Sequence, residues 1–293
     1  MRMKRLAAVA AAAAMALAMA ACGSDDGGDT GTGTGTGSGN SDATGIIAKA
    51  QAGSLKFGVK ADQPGLGLQT GTAYEGFDIE MAKIIAKGLG VPDSGIQYVT
   101  TVSANREPYI EQGNVDVVIA TYTINDERKQ KVNFAGPYYI AGQDLLVPVD
   151  STITGPEQIA GKKVCSVTGS TPAKRIQENY KDAQLQLFDA YSKCITALAG
   201  GQVDAVTTDD IILAGYAAQP QYAGKFKVVG KPFSEEPYGI GLKKDDKAGC
   251  EKINEILKAA AADGSYKAAW DATLGKSGTP APTLDTSKLT NCA

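Results

Sequence analysis

The side chains open to chemistry in this chain are bounded first by an omission: none of its 293 residues is histidine. Every Ser-His-Asp or Cys-His nucleophile and every His-ligated zinc site is thereby excluded. Enzymatic work would fall to carboxylates, Lys, Tyr or Cys, and no catalytic residue stands out among them. What the sequence offers instead is a grip for an anion. Arg128, at the end of ATYTINDER (120–128), carries a guanidinium that forks onto a carboxylate through two parallel charge-assisted hydrogen bonds, which lysine cannot imitate. Thr121 and Thr123 alternate just before it and can add hydroxyl and backbone N–H donors to the same anion. In GSTP (169–172), Pro172 suits a first helical position, so the Ser170 and Thr171 amides are expected to point at an anion on the helix N-terminus. Asp209 and Asp210 end another apolar run. A helix is expected from Ile211, with Asp210 as its N-cap and Asp209, just past the strand, facing the cleft.

These side chains need elements that bring them to one place. From Ile46 onward short β-rich runs alternate with amphipathic helical ones, the pattern of α/β layers with largely parallel strands. LKFGVK (55–60), IQYVTT (96–101) and VDVVIAT (115–121) read as strands, the last buried on both faces. Between them FDIEMAKIIAKGLG (77–90) is helical, stopping at Gly90, and Ser103 is expected to cap a helix running to about Gln112. The scheme then repeats: KKVCSV (162–167), QLQLF (184–188) and VDAVTT (203–208) read as strands, with helices over 169–180 and 191–200. GNVDVVIAT at Gly113 is echoed by GQVDAVTTD at Gly201, which implies two similar lobes. The expected division is 46–144 with 236–293 for the first lobe and 145–235 for the second, so the chain crosses twice and the crossings form a hinge around a ligand. A final long helix covers 249–275.

Composition sets the outer bounds. Hydrophobic residues at 43% and charged residues at 21% are ordinary for a soluble globular protein. Lys and Arg number 29 against 32 Asp and Glu, so no basic field points to nucleic acid. Residues 1–21 read as a signal peptide, with Arg2, Lys4 and Arg5 ahead of a short apolar run. Ala20 and Ala21 before Cys22 resemble a bacterial lipobox, in which the Cys22 thiol is acylated, although Met19 stands where Leu is more usual. Residues 22–45 then form a lipidated Gly/Thr-rich tether, too polar to fold, with a reach of roughly 25 to 29 Å. The body is therefore expected at the extracytoplasmic face of the cell membrane, held there by lipid alone. Cys165, Cys194, Cys250 and Cys292 form an even set in an exported chain and allow three connectivities. Pairing within lobes selects Cys165 with Cys194 and Cys250 with Cys292, each bridge contributing about 3.5 to 4 kcal/mol by loop closure. Without a CxxC or a histidine, a metal site is not expected.

GFDIEMAKIIAKGL (76–89) resembles the signature of the family 3 extracellular solute-binding proteins, the polar amino-acid receptors of ABC importers. The resemblance extends through ATYTINDER, FAGPYY (134–139), the GST turn, VDAVTTDD (203–210) and the terminal helix, and spans roughly residues 54–275. It implies an α/β, two-lobed periplasmic-binding-protein-like fold (type II) with two connecting strands as the hinge. GVKADQPGLG (58–67) and ANRE (104–107) make the chain most similar to the glutamate/aspartate-binding branch.

An amino acid needs an anion clamp and a cation clamp at opposite ends of one short molecule. Arg128, Thr121, Thr123, Ser170 and Thr171 suit its α-carboxylate. By resemblance Asp209 takes the α-ammonium, while Lys60 and Arg106 fall where this branch grips an acidic side chain, with Tyr191 as a further donor. Lys at 60 and Tyr at 191, in place of Arg and His in some relatives, allow a weaker preference for glutamate over glutamine or asparagine. The implied partners are one amino acid, glutamate first, and a permease with a separate ATPase, since no GxxxxGK[ST] loop occurs. No cofactor is implied, and the receptor is expected to act as a monomer. Two other readings share the fold: a cyclohexadienyl-dehydratase-like enzyme, which needs a general acid in the cleft, and a sensory domain, which needs a membrane-spanning helix joined to a signalling domain.

Overall fold

Apolar runs bounded by turn residues assemble into two five-stranded sheets, and the chain's internal echo is the reason they match. The structure, a computed structural model, describes residues 44–277, 280–289 and 292. The signal peptide, Cys22 and the tether as far as residue 43 lie outside the described residues. The first sheet runs Ile96–Thr100, Leu55–Val59, Val117–Val118, Glu236–Lys243, Val132–Ala141. The second runs Gln184–Phe188, Lys163–Val167, Ala205–Asp209, Gln143–Pro148, Phe226–Val228. In each, the first three strands are parallel and the fourth is antiparallel to both neighbours. That reversed strand is the one arriving from the other lobe. It starts at the cleft and runs outward, whereas the parallel strands run toward the cleft and deliver their C-terminal ends to it. The two crossings lie side by side: Ala141 pairs with Glu236, and Phe233 N–H donates to Gln143 O at 2.9 Å.

The signature at 76–89 has a physical content. Gly76 sits at φ 120°, and a Cβ there would come 2.3 Å from Leu66 O, so only glycine fits. Phe77 opens the helix Phe77–Gly88 and stands edge-on to Trp270 and Tyr266, with ring centroids at 5.3 and 5.5 Å. These rings join the fully buried Ile79, Met81, Ala82 and Ile85 in the main core, as the helical spacing of the apolar residues requires. Both expected disulfides are present, Cys165–Cys194 and Cys250–Cys292, with Cα atoms 5.5 and 5.6 Å apart. Among the described residues no helix is long and apolar enough to cross a membrane.

Some local expectations do not hold. The run 115–121 is buried throughout, yet only Val117–Val118 joins the ladder, because Thr121 turns to φ 44° and carries the chain out of register. Ser103 does not cap a long helix. Residues Ser103–Asn105 make a 3-10 turn ahead of the short helix Arg106–Glu111, and the Ser103 hydroxyl instead accepts from Lys60 Nζ. Asp210 is not an N-cap either: it opens the helix Asp210–Ala217, and Asp209 occupies the cap position without a side-chain capping bond. The terminal helix is two, Lys247–Asp263 and Ser265–Ala272, parted at Gly264 in the left-handed region.

Candidate ligand-binding cleft

Three cations converge at the C-terminal ends of the first sheet's parallel strands. Lys60 follows Leu55–Val59, Arg106 follows the turn after Ile96–Thr100, and Arg128 lies in the helix Asp126–Lys129 beyond Thr121 and Thr123. Their exposures are 4%, 2% and 6%, and burying three like charges together is costly unless anions meet them. Burial, then the Arg106 charge, holds the Lys60 ammonium well below the usual lysine range. Burial, then Arg128, pushes Arg106 down to about 10.

The two guanidiniums are used differently. Arg128 Nε donates to Glu107 Oε1 at 3.1 Å, Nη1 to Thr123 O at 2.7 Å and Nη2 to Gly169 O at 3.0 Å. Of its five N–H groups this leaves one on each terminal nitrogen among the described residues, two donors for a carboxylate. Arg106 Nη1 donates to Ala120 O and Thr121 O at 3.1 and 3.0 Å, Nε to Ser103 O at 3.2 Å and Nη2 to Gly169 O at 3.3 Å. One N–H remains, so Arg106 acts on a ligand chiefly through its charge. Both guanidinium carbons lie over the Tyr122 ring, at 4.4 and 5.0 Å from its centroid, so one aromatic ring bears on both cations.

Thr121 is a β-branched residue in the left-handed region, a conformation that costs about 1 to 3 kcal/mol and persists only where the surroundings impose it. They do: Asp78 Oδ2 accepts the Thr121 N–H at 2.9 Å while Arg106 takes its carbonyl. Asp78 also accepts from Tyr138 OH at 2.7 Å, and burial raises its carboxyl to about 6 despite those bonds.

Across the cleft, Gly169 sits at φ +79°, and a Cβ there would come 2.6 Å from Ala104 Cα, so glycine permits the lobes to meet at this point. Ser170 is turned inward. Its N–H donates to Val167 O, and its hydroxyl donates to the same carbonyl and accepts from Ala173 N–H as the helix N-cap. Ser170 therefore holds the turn, and the Thr171 hydroxyl reaches out, lying 2.6 Å from Glu236 Oε2 and 3.3 Å from Thr123 Oγ1. Asp209 is 3% exposed; Tyr238 OH donates to its Oδ2 at 2.6 Å, while Oδ1 meets no donor among the described residues. Burial, reinforced by the nearby Glu236 carboxylate, pushes Asp209 up to about 8. Tyr191, buried among the hydroxyls of Ser170, Thr208 and Ser166, lines with Lys60 a cavity of about 120 Å³. A larger cavity of about 500 Å³ opens beside Arg128, Glu107 and Thr171. The expected site residues thus gather from both lobes at one cleft, with Ser170 as the scaffold of its turn.

The model of the bacterial extracellular solute-binding proteins, family 3, matches residues 55–275, the span that builds both sheets and the cleft. This chain belongs to that family. As a family 3 solute-binding protein it is extracytoplasmic. It is 42% identical over 250 residues to the glutamate-binding protein GluB of Corynebacterium glutamicum, covering 81% of this chain and 84% of the relative. To the ABC transporter glutamine-binding protein GlnH of Bacillus subtilis it is 40% identical over 215 residues, 72% of this chain and 78% of the relative. Among solved structures, an ancestral arginine-binding protein bound to glutamine superposes with a TM-score of 0.71 at 36% identity, covering 76% of this chain and 98% of that one.

Sequence reasoning about this family 3 protein missed the residues that hold the named ones. Asp78 interrupts the buried face of its helix, and a carboxylate on an apolar stripe was the available signal. Glu107, the counterion of Arg128, stood within ANRE beside Arg106. Nothing in the pattern marked Tyr122, whose role depends on two arginines arriving over one ring.

Proposed function

We propose that this family 3 protein is an amino-acid receptor of an ABC importer that encloses glutamate, with aspartate as a second ligand. One observation carries the acidic ligand: Lys60 and Arg106, both buried, have no carboxylate within ion-pair distance among the described residues, while Arg128 has Glu107. Buried charges are ordinarily paired, so a distal carboxylate lying against Lys60 and Arg106 offsets their desolvation. Arg128 with Thr123 and Thr171 takes the α-carboxylate, Thr121 having given its N–H to Asp78 and its hydroxyl proton to Ala120 O or Gln63 Oε1, and Asp209 Oδ1 takes the ammonium. The two relatives described above, one named for glutamate and the other for glutamine, support the polar amino-acid class and bracket the choice within it. Calorimetric titration of the folded body against the common amino acids tests the reading. Glutamate should bind most tightly; preference for glutamine or asparagine would reassign the Lys60 end, and preference for a basic or apolar amino acid would overturn it.

The Asp209 carboxyl makes the binding pH-dependent. At about 8 it still holds a proton near neutrality, and that proton must leave before the ammonium can be paired. Affinity should therefore rise with pH from 6 to 8, by roughly 50-fold in total, and level off above. The same carboxyl lowers fold stability over the range where the unfolded chain has lost the proton and the folded chain keeps it, from 3.8 to about 8. Titrations at pH 6, 7 and 8 check this: Asp209→Asn should flatten the slope, and a flat profile in the unaltered protein would remove Asp209 from the ammonium site.

Cys22 and the Gly/Thr-rich segment after it support a lipid-tethered receptor that presents its closed form to a permease driven by a separate ATPase. Cys22→Ser should release the protein from the membrane fraction, and retention there would show another anchor.

A further inference from the structure

Among the described residues three buried side-chain atoms lack a hydrogen-bond partner: Asp209 Oδ1, Tyr122 OH and Gln63 Nε2. The first belongs to the clamp already described. Gln63 has no assigned role, yet it is fully buried, and leaving an amide unsatisfied there costs about 1 to 3 kcal/mol. Its surroundings place it in the cleft. Asp62 on one side accepts from Ser192 N–H at 3.1 Å and from Tyr216 OH, both in the second lobe. Pro64 on the other side lies so near that lobe that a Cβ on Gly215 would come 2.4 Å from its carbonyl oxygen. Gln63 pairs with Gly67, which packs back on Lys60: a Cβ on Gly67 would come 2.9 Å from Lys60 O. The amide thus touches Thr121, while the Gln63 backbone lies in the hairpin that packs against the strand end carrying Lys60.

The contact with Thr121 leaves the amide two ways round. The Thr121 hydroxyl has one proton and lies 2.9 Å from Ala120 O and 3.2 Å from Gln63 Oε1. Given to Gln63 Oε1, that proton fixes the amide with its NH₂ end toward the cleft. Given to Ala120 O, it leaves the hydroxyl as an acceptor for Gln63 Nε2, and the amide turned over presents its oxygen instead. From this geometry we infer that Gln63 is a specificity residue that reads the distal group of the ligand, donating to a glutamate carboxylate in one orientation and accepting from a glutamine carboxamide in the other. The inference rests on the glutamate reading above and extends it: a rotatable amide beside Lys60 and Arg106 narrows the difference between acid and amide that those cations alone would impose.

Gln63→Glu and Gln63→Met, each titrated calorimetrically with glutamate and with glutamine, decide it. A fixed carboxylate can accept from a carboxamide but repels a carboxylate. Gln63→Glu should therefore weaken glutamate by about 30-fold or more while glutamine stays within about threefold. Gln63→Met removes both orientations and should weaken both ligands by about tenfold. If Gln63→Glu weakens the two equally or not at all, Gln63 does not read the distal group. Should that variant fail to fold, unchanged affinity of Gln63→Met for both ligands overturns the inference by itself. Unaltered protein that binds neither ligand would instead bring down the glutamate reading, and this inference with it.

Discussion

Arg128→Ala should abolish amino-acid binding while the two lobes stay folded. The guanidinium is buried, paired with Glu107 at 3.1 Å, and keeps one N–H on each terminal nitrogen for the α-carboxylate common to every candidate ligand. Removing one partner of a buried, hydrogen-bonded charge pair costs about 3 to 5 kcal/mol, roughly 150- to 5,000-fold in affinity. The variant suffers this twice: the ligand carboxylate loses its fork, and Glu107 is left in the cleft wall without its cation. The bond from Arg128 to Gly169 O, which joins the lobes, goes as well. Arg128→Lys separates these contributions, since an ammonium restores the charge and can still meet Glu107 but cannot fork. It should bind measurably and weakly. Titration with glutamate together with a thermal melt checks both variants, and affinity within threefold of the unaltered protein would place the clamp elsewhere.

Arg106→Met should shift selectivity strongly, weakening glutamate far more than glutamine. Arg106 has no carboxylate partner among the described residues, so its charge is available to a ligand, whereas its hydrogen bonds go mainly to the carbonyls of Ser103, Ala120 and Thr121. Methionine keeps much of the apolar stem over Tyr122 and removes the charge. A glutamate carboxylate buried without this cation should bind about 150-fold more weakly or worse. A glutamine carboxamide loses at most one hydrogen bond, about tenfold. Lys60→Met should act in the same sense, because among the described residues its ammonium meets the Ser103 hydroxyl and no carboxylate. Parallel loss of both ligands would show that Arg106 supports the Thr121 backbone rather than reading the distal group, and the acidic preference would then lack its physical basis.

How much of this was legible in the chain can be judged residue by residue. The strands over Leu55–Val59, Lys163–Val167 and Gln184–Phe188 fall where their apolar residues and turn signals put them, because alternation and burial are properties of neighbours in sequence. The duplicated motif at Gly113 and Gly201 correctly implied two lobes, since each copy builds the third strand of its own sheet. Cysteine number and lobe assignment together selected both disulfides. The absence of histidine narrowed the chemistry before any fold was considered.

The cleft is another matter. Which atoms of Arg106 and Arg128 remain for a ligand depends on carbonyls 14 and 5 residues away and on Gly169 in the other lobe. Ser170 looked like an anion donor in sequence and is a turn support in space, because its N–H and hydroxyl both find Val167 O. Thr121 holds a conformation its own side chain disfavours, imposed by Asp78 from a helix 43 residues earlier. Asp209 was expected to face the cleft beside a capping Asp210; Asp210 instead opens the helix, and the Asp209 carboxylate accepts from Tyr238 on the returning strand and keeps Oδ1 unpartnered among the described residues. The sequence by itself determined the elements, the lobe repeat, the disulfide pairs and the residue types available to grip a zwitterion, because those follow from composition and local spacing. Only the tertiary structure decided which cations lie buried without a counterion, which donors are already occupied and where the Gln63 amide stands, because each of these is set by groups distant in sequence that share one desolvated space.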